Sequence, residues 1–229
     1  MSDVGAARQF GTGPLSRASA LIYTLLTVEL LVLLTAVPGL VGLVLLDRHA
    51  SNVPLMAACL LPAGPAISAA LYALRHRRRE LTELRPAAAF WRGYRANFGG
   101  VMKIWVPWLL LLTVLGTNLG NFSAAGVPGW WAVLQVVIAA GSTLWVANAL
   151  VVTSLFAFRA VDVARLAAWS LGRFPAATLA NACLLVVAGG VTLIASEAVL
   201  SLLASVLVAT LLWNSRSMIT EVQQRFTRQ

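Results

Sequence analysis

Apolar runs of about twenty residues divide this chain, and they constrain its fold more than any other feature. A hydrocarbon core of roughly 30 Å takes about twenty helical residues at 1.5 Å each. Six such runs occupy residues 21–46, 53–74, 104–119, 130–158, 176–195 and 198–213. Pro38-Gly39 interrupts the first, and the second contains Pro62 and Pro65. Only Ser196-Glu197 separates the last two, which predicts a tight helical hairpin or a partly re-entrant segment. Of the 229 residues, 59% are hydrophobic and 11% charged, whereas soluble domains carry about 25% charged residues. The expected fold is all-α: one polytopic transmembrane domain over residues 1–229, with six spans and cytoplasmic amphipathic helical segments.

Orientation follows from the cations. A net charge of +9 would suggest nucleic acid in a soluble protein. In a membrane protein, Lys and Arg collect on the cytoplasmic side. With both termini inside, sixteen of the seventeen basic residues fall in the N-terminus, the loops 75–103 and 159–175, and the C-terminus, leaving only Arg48 outside. All but Lys103 are arginine, which with abundant Ala and Leu fits GC-rich coding and a bacterial inner membrane. Residues 1–17 lack the layout of a cleavable signal peptide, so the first run is expected to remain in the mature chain.

Two cytoplasmic segments share a pattern. After Pro86, the residues Ala87, Phe90, Trp91, Tyr94 and Phe98 recur at three- and four-residue steps and share one helical face. Arg85, Arg92 and Arg95 gather on another. Such a helix suits the inner headgroup layer of the lipid bilayer, or docking on a partner. A short tethered loop has no recognition fold for nucleic acid. The second segment repeats Trp91-x-x-x-Arg95 as Trp169-x-x-x-Arg173, which suggests two related halves. Trp105 and Trp108, and Trp130-Trp131 after the uncharged segment 118–129, suit interfacial anchoring; Trp130-Trp131 also suits stacking on a sugar.

Polar groups within the spans mark a candidate ligand site. Glu29 lies in the first run, where a carboxylate costs a few kcal/mol unless paired, protonated or wetted. Asn148 lies in the fourth run with Trp145 at similar depth. Facing one cavity, these three would bind a polar solute; apart, Glu29 pairs structurally and Asn148 bonds between helices. Cys59 and Cys183 lie inside apolar runs as packed hydrophobes, and His49 and His76 lack metal-ligand spacing. No catalytic set, metal site, cofactor motif or P-loop is present, so an enzyme is not expected.

Residues 64–98 carry Gly64-Pro65-Ala66, Ala69-Ala70, Tyr72, Arg75, Phe90-Trp91, Arg95 and Asn97-Phe98. This pattern resembles the YesL-like family of small bacterial membrane proteins. The first span departs from it, having Glu29-Leu30-Leu31-Val32 where the family has an Asn-Leu-Leu-Trp-like stretch. The resemblance implies an accessory role beside sugar ABC transporter subunits, and it implies no catalytic residues. On that reading Phe90, Trp91, Arg92, Tyr94, Arg95, Trp169 and Arg173 dock the partner. The alternative is an autonomous permease using Glu29, Asn148 and Trp145.

Overall fold

A computed structural model describes residues 14–47, 49–76 and 85–226. Arg8, Arg48, Arg77 to Arg79 and Arg228, on which the charge count partly rests, lie outside the described residues.

The described residues form eleven α-helices and a short 3-10 turn at Ala50–Asn52. Helix α1 (Pro14–Leu45) runs without a break through Pro38, so the expected interruption is absent and the helix begins before the apolar run does. Helices α2 (Val53–Cys59) and α3 (Ala63–Arg75) form the second apolar stretch. Helix α4 (Pro86–Gly120) is followed by the single turn α5 (Phe122–Ala125) and by α6 (Trp130–Leu155). Then come α7 (Ala160–Arg173), α8 (Pro175–Ile194), α9 (Glu197–Ser201), α10 (Ala204–Asn214) and α11 (Arg216–Phe226).

Five of these segments are long and apolar enough to cross a membrane: Ala18–Leu45, Ala50–Arg75, Pro86–Gly120, Trp130–Leu155 and Pro175–Ile194. The sixth expected span is not one helix. It breaks at Leu202-Leu203 into α9 and α10, and the eleven residues of α10 rise only about 16 Å. No Pro or Gly lies at this break. Leu26, Leu30, Leu34, Val136, Val137 and Leu193 point outward from the long helices, a surface suited to hydrocarbon rather than water.

Helices α3, α4 and α6 make the centre, with α1 and α10 against α3 and with α8 at the periphery. The break between α2 and α3 has a clear cause. Pro62 and Pro65 bring no N–H to the helical ladder, so short-range bonds such as Ala63 N to Leu60 O (3.1 Å) take over. The Leu60 carbonyl also accepts a 3.0 Å bond from Trp105 Nε1. Trp105 and Trp108 are therefore core residues, 6% and 9% exposed, rather than interfacial anchors. An indole packs there because Gly64 leaves room: a Cβ on Gly64 would sit 2.5 Å from the Trp105 ring. Cys59 is half-buried with its sulfur against Gly42, while Cys183 is exposed on α8 and is not the packed hydrophobe expected.

One end of the bundle collects the ends of α3 and α6, the start of α4, and helices α7 and α11. Arg75, closing α3, reaches Gln223 of α11 at 3.5 Å, and Met218, Ile219 and Val222 of α11 are buried in the core. Helix α11 was not anticipated from sequence. Its signal was present in the i, i+1, i+4 spacing of those three residues between Arg216 and Arg225.

Candidate functional site

The aromatic-basic segment is the beginning of α4 and continues without a break into the apolar stretch. The segment is therefore a continuation of the long apolar helix, which runs unbroken through Pro107, rather than a separate helix lying in the headgroups. Its depth is fixed by two contacts. Asn97 Nδ2 donates to the Ser154 carbonyl at 3.2 Å, and a Cβ on Gly100 would touch Thr153. Asn97 thereby satisfies one of the four carbonyls that the C-terminus of α6 leaves open. Trp91 and Arg92 lie five to six residues earlier, roughly 8 Å beyond that level.

The expected aromatic face is split. Phe90 is fully buried and Gly93 sits against Tyr72, where a Cβ would come within 2.6 Å of the Tyr72 Cβ. This side of α4 packs on Ala66, Ala69, Ala70 and Leu71 of α3, all fully buried. Phe90, Tyr94 and Phe98 form a run of ring contacts along the helix, with centroids 6.3 and 5.8 Å apart. Trp91 stays in edge contact with Phe90 and Tyr94, at 5.9 and 5.6 Å between centroids. It is 39% exposed and joins Arg92 and Arg95, with Ala88 and Ala96 between them, in an open cavity of about 520 Å³. Aromatic and basic groups thus share the exposed face instead of opposing each other.

On α7, Val163, Ala167 and Ser170 are buried, while Trp169 and Arg173 are exposed. Trp169 meets Phe174 edge-on at 5.8 Å. The two Trp-x-x-x-Arg patterns are alike in exposing both residues, yet α4 runs on into its apolar stretch whereas Phe174 separates α7 from α8, which opens on Pro175. Asn148 and Trp145 account for the seating of α7. Asn148 Nδ2 donates to Ser170 Oγ at 3.0 Å, and Trp145 Nε1 donates to the Ala164 carbonyl at 3.0 Å. Ser170 Oγ in turn donates a hydrogen bond to the Ala167 carbonyl. Helix α6 ends at Leu155 rather than at 158, so Asn148 lies two turns from its end and not at mid-span.

Glu29 is directed elsewhere. Its Oε2 accepts a 2.6 Å bond from the backbone N–H of Ser205, in the first turn of α10. Helix termini leave the first N–H groups without intrahelical partners, and a carboxylate there is favoured by the helix dipole. The second oxygen, Oε1, is buried without a partner among the described residues. Ser205, Ser170 and Ser68 are polar contacts that the sequence reading missed; Ser68 and Ser154 bring their hydroxyls to 2.8 Å across α3 and α6. The side chains thus divide into a Glu29–Ser205 contact on α10, an Asn148–Ser170 and Trp145–Ala164 contact on α7, and the exposed Trp91-Arg92-Arg95 surface.

Among the described residues no three His, Cys, Asp or Glu side chains are grouped to hold a metal. Residues 20–119 match a protein-family model described as "Protein of unknown function, DUF624". The match covers α1 to α4, including the α3–α4 interface built by Gly64, Ala66, Ala69, Ala70, Tyr72, Phe90 and Gly93. No curated protein and no solved structure gives a significant match to the chain.

Proposed function

We propose that this chain is a non-enzymatic protein of a bacterial inner membrane that assists solute uptake by docking a transporter subunit. Carbohydrate is the solute class, by resemblance to the YesL-like proteins. The chain crosses six times with both termini in the cytoplasm, its last crossing being the broken pair α9–α10. One observation carries the reading: α4 holds Trp91, Arg92 and Arg95 on one exposed face while Phe90, Gly93 and Asn97 lock the opposite face into the core. Trp and Arg are the residues most enriched at binding hot spots, and a surface already held rigid loses little entropy on binding. No acidic side chain among the described residues forms an ion pair with Arg92 or Arg95, so both guanidinium groups are available to an acidic partner surface. Trp169 and Arg173 extend the same chemistry on α7.

Pull-down after gentle solubilisation tests the proposal, comparing wild type with an Arg92→Ala/Arg95→Ala double variant. The reading expects a transporter subunit to copurify with wild type and to be lost from the variant; equal retention sinks it.

A second reading has its own support. Glu29 sits at a broken helix with one buried oxygen free, which is the arrangement of discontinuous helices that line solute paths. On that reading the protein is an autonomous permease. It expects solute flux into proteoliposomes containing this chain alone, reduced by Glu29→Gln; absence of flux without a partner removes it.

A further inference from the structure

The opposite end of α4 holds a different kind of site. Helix α4 closes at Gly120, α5 adds a single turn, and Gly126 at φ 61° takes the left-handed conformation that lets the chain double back to α6. This fold-back encloses an open cavity of about 390 Å³ lined by Thr117, Asn118, Asn121, Phe122, Trp131 and Gln135, among others. Ligand sites commonly run from about 300 to 1,000 Å³ and combine apolar walls with a few aimed polar groups.

The lining sets the ligand's chemistry. It contains no ionisable side chain, and neither does the whole segment 118–135. An anionic headgroup or a metal cation would therefore enter without a counter-charge, at a cost only an opposite charge offsets. What the cavity offers is amides and ring faces. Asn121 Nδ2 is committed to the Thr117 carbonyl at 2.9 Å, which leaves its Oδ1 free to accept. Gln135 Oε1 is buried with no partner among the described residues, a deficit that ordinarily costs about 1–3 kcal/mol. Gln135 also lines the cavity, and a ligand hydroxyl suits its amide whichever way that group is turned, because a hydroxyl both donates and accepts. Trp131 is steadied by stacking on Trp130, with centroids 4.6 Å apart and planes at 23°. Together with Phe122 it supplies flat apolar walls for the C–H faces of a ring.

We infer that this cavity binds a small, uncharged, hydroxyl-rich ring, either a free saccharide or the glycosyl headgroup of a lipid. Gln135 and Asn118 bond its hydroxyls, and Trp131 stacks on its face. The site lies at the other end of the bundle from the Trp91-Arg92-Arg95 surface, and the inference does not rest on partner docking.

The test uses the full chain, purified without glycosidic detergent and held in nanodiscs. Tryptophan fluorescence is followed while glucose, maltose, lactose and cellobiose are titrated into phosphatidylcholine discs. A parallel arm replaces part of the lipid with monoglucosyldiacylglycerol. The expected result is a saturable change with at least one saccharide, or a shift in the glycolipid discs, weakened at least about tenfold by Gln135→Leu, the loss of roughly one good hydrogen bond. A response confined to one arm identifies the source as free sugar or lipid. Removing an unpartnered buried amide should leave Gln135→Leu melting at or above wild type, so lost binding cannot be ascribed to misfolding. No saturable response in either arm, or an undiminished response in Gln135→Leu, overturns the inference. Pull-down reads docking separately, so either proposal can fail while the other stands.

Discussion

Glu29 Oε2 and the backbone N–H of Ser205 lie 2.6 Å apart across 176 residues of sequence, joining the middle of α1 to the first turn of α10. An uninterrupted helix would give that N–H to the Ser201 carbonyl four residues earlier. The carboxylate takes it instead, which accounts for a break at Leu202-Leu203 without Pro or Gly.

Glu29→Leu should leave the Ser205 N–H unsatisfied and cost about 1–2 kcal/mol, the usual range for a lost N-terminal cap. Glu29→Gln keeps a neutral acceptor and should lose about half as much, because charge-assisted bonds are roughly twice as strong. Thermal melts in detergent measure the cost, and hydrogen exchange at residues 203–207 locates it. Unchanged exchange in Glu29→Leu would show that the carboxylate does not hold the start of α10.

The two glycines facing aromatic rings make a sharper case. Gly64→Ala would place a Cβ 2.5 Å from the Trp105 ring, and Gly93→Ala one 2.6 Å from Tyr72 Cβ. Each should destabilise by about 1–3 kcal/mol, as overpacked cores do. Gly99 has nothing within 4 Å of its Cβ position, so Gly99→Ala should be neutral or stabilising by up to about 1 kcal/mol. A melting series that ranks all three alike would refute the packing account of the α3–α4 interface.

How much of this was legible in the sequence varied with the range of the interaction. Five apolar stretches were readable because span length is a local property, and α7 because its amphipathic period is local too. The break in the sixth stretch was not, since the cause is a carboxylate on a distant helix. Trp105 reads as an anchor only until Gly64 and the Leu60 carbonyl are seen beside it. The helical period of Phe90 and Trp91 was evident, yet their separation into core and surface depends on where α3 lies. Glu29 and Asn148 stood out as polar groups within apolar runs, and Trp145 for its depth beside Asn148, while their partners are serines and carbonyls without distinctive spacing.

Asn148 and Trp145 fasten α7 to α6 through one bond each. Asn148→Leu should strand the Ser170 hydroxyl as an acceptor, and Trp145→Phe should free the Ala164 carbonyl. Each loss is expected to cost about 0.5–1.5 kcal/mol. The effect should be local, with hydrogen exchange rising over Ala160–Arg173 while α3 and α4 remain protected. Exchange that rises evenly along the chain would mean that α7 is not a separately seated element.

The path of the chain makes the last prediction. Arg75 reaching Gln223, together with the burial of Met218, Ile219 and Val222, puts α11 at the end of the bundle where α4 begins. In the proposed six-crossing arrangement the chain leaves that end at Pro175 and returns there at Arg216, α9 and α10 together making the last crossing. Single cysteines at Ala88 and Gln223, in a background lacking Cys59 and Cys183, should then react with an impermeant maleimide from one side of the membrane. A cysteine at Asn118 should react from the other, since about 45 Å of α4 separates it from Ala88. If Gln223→Cys instead labels together with Asn118→Cys, the broken pair does not cross and the six-crossing arrangement is wrong.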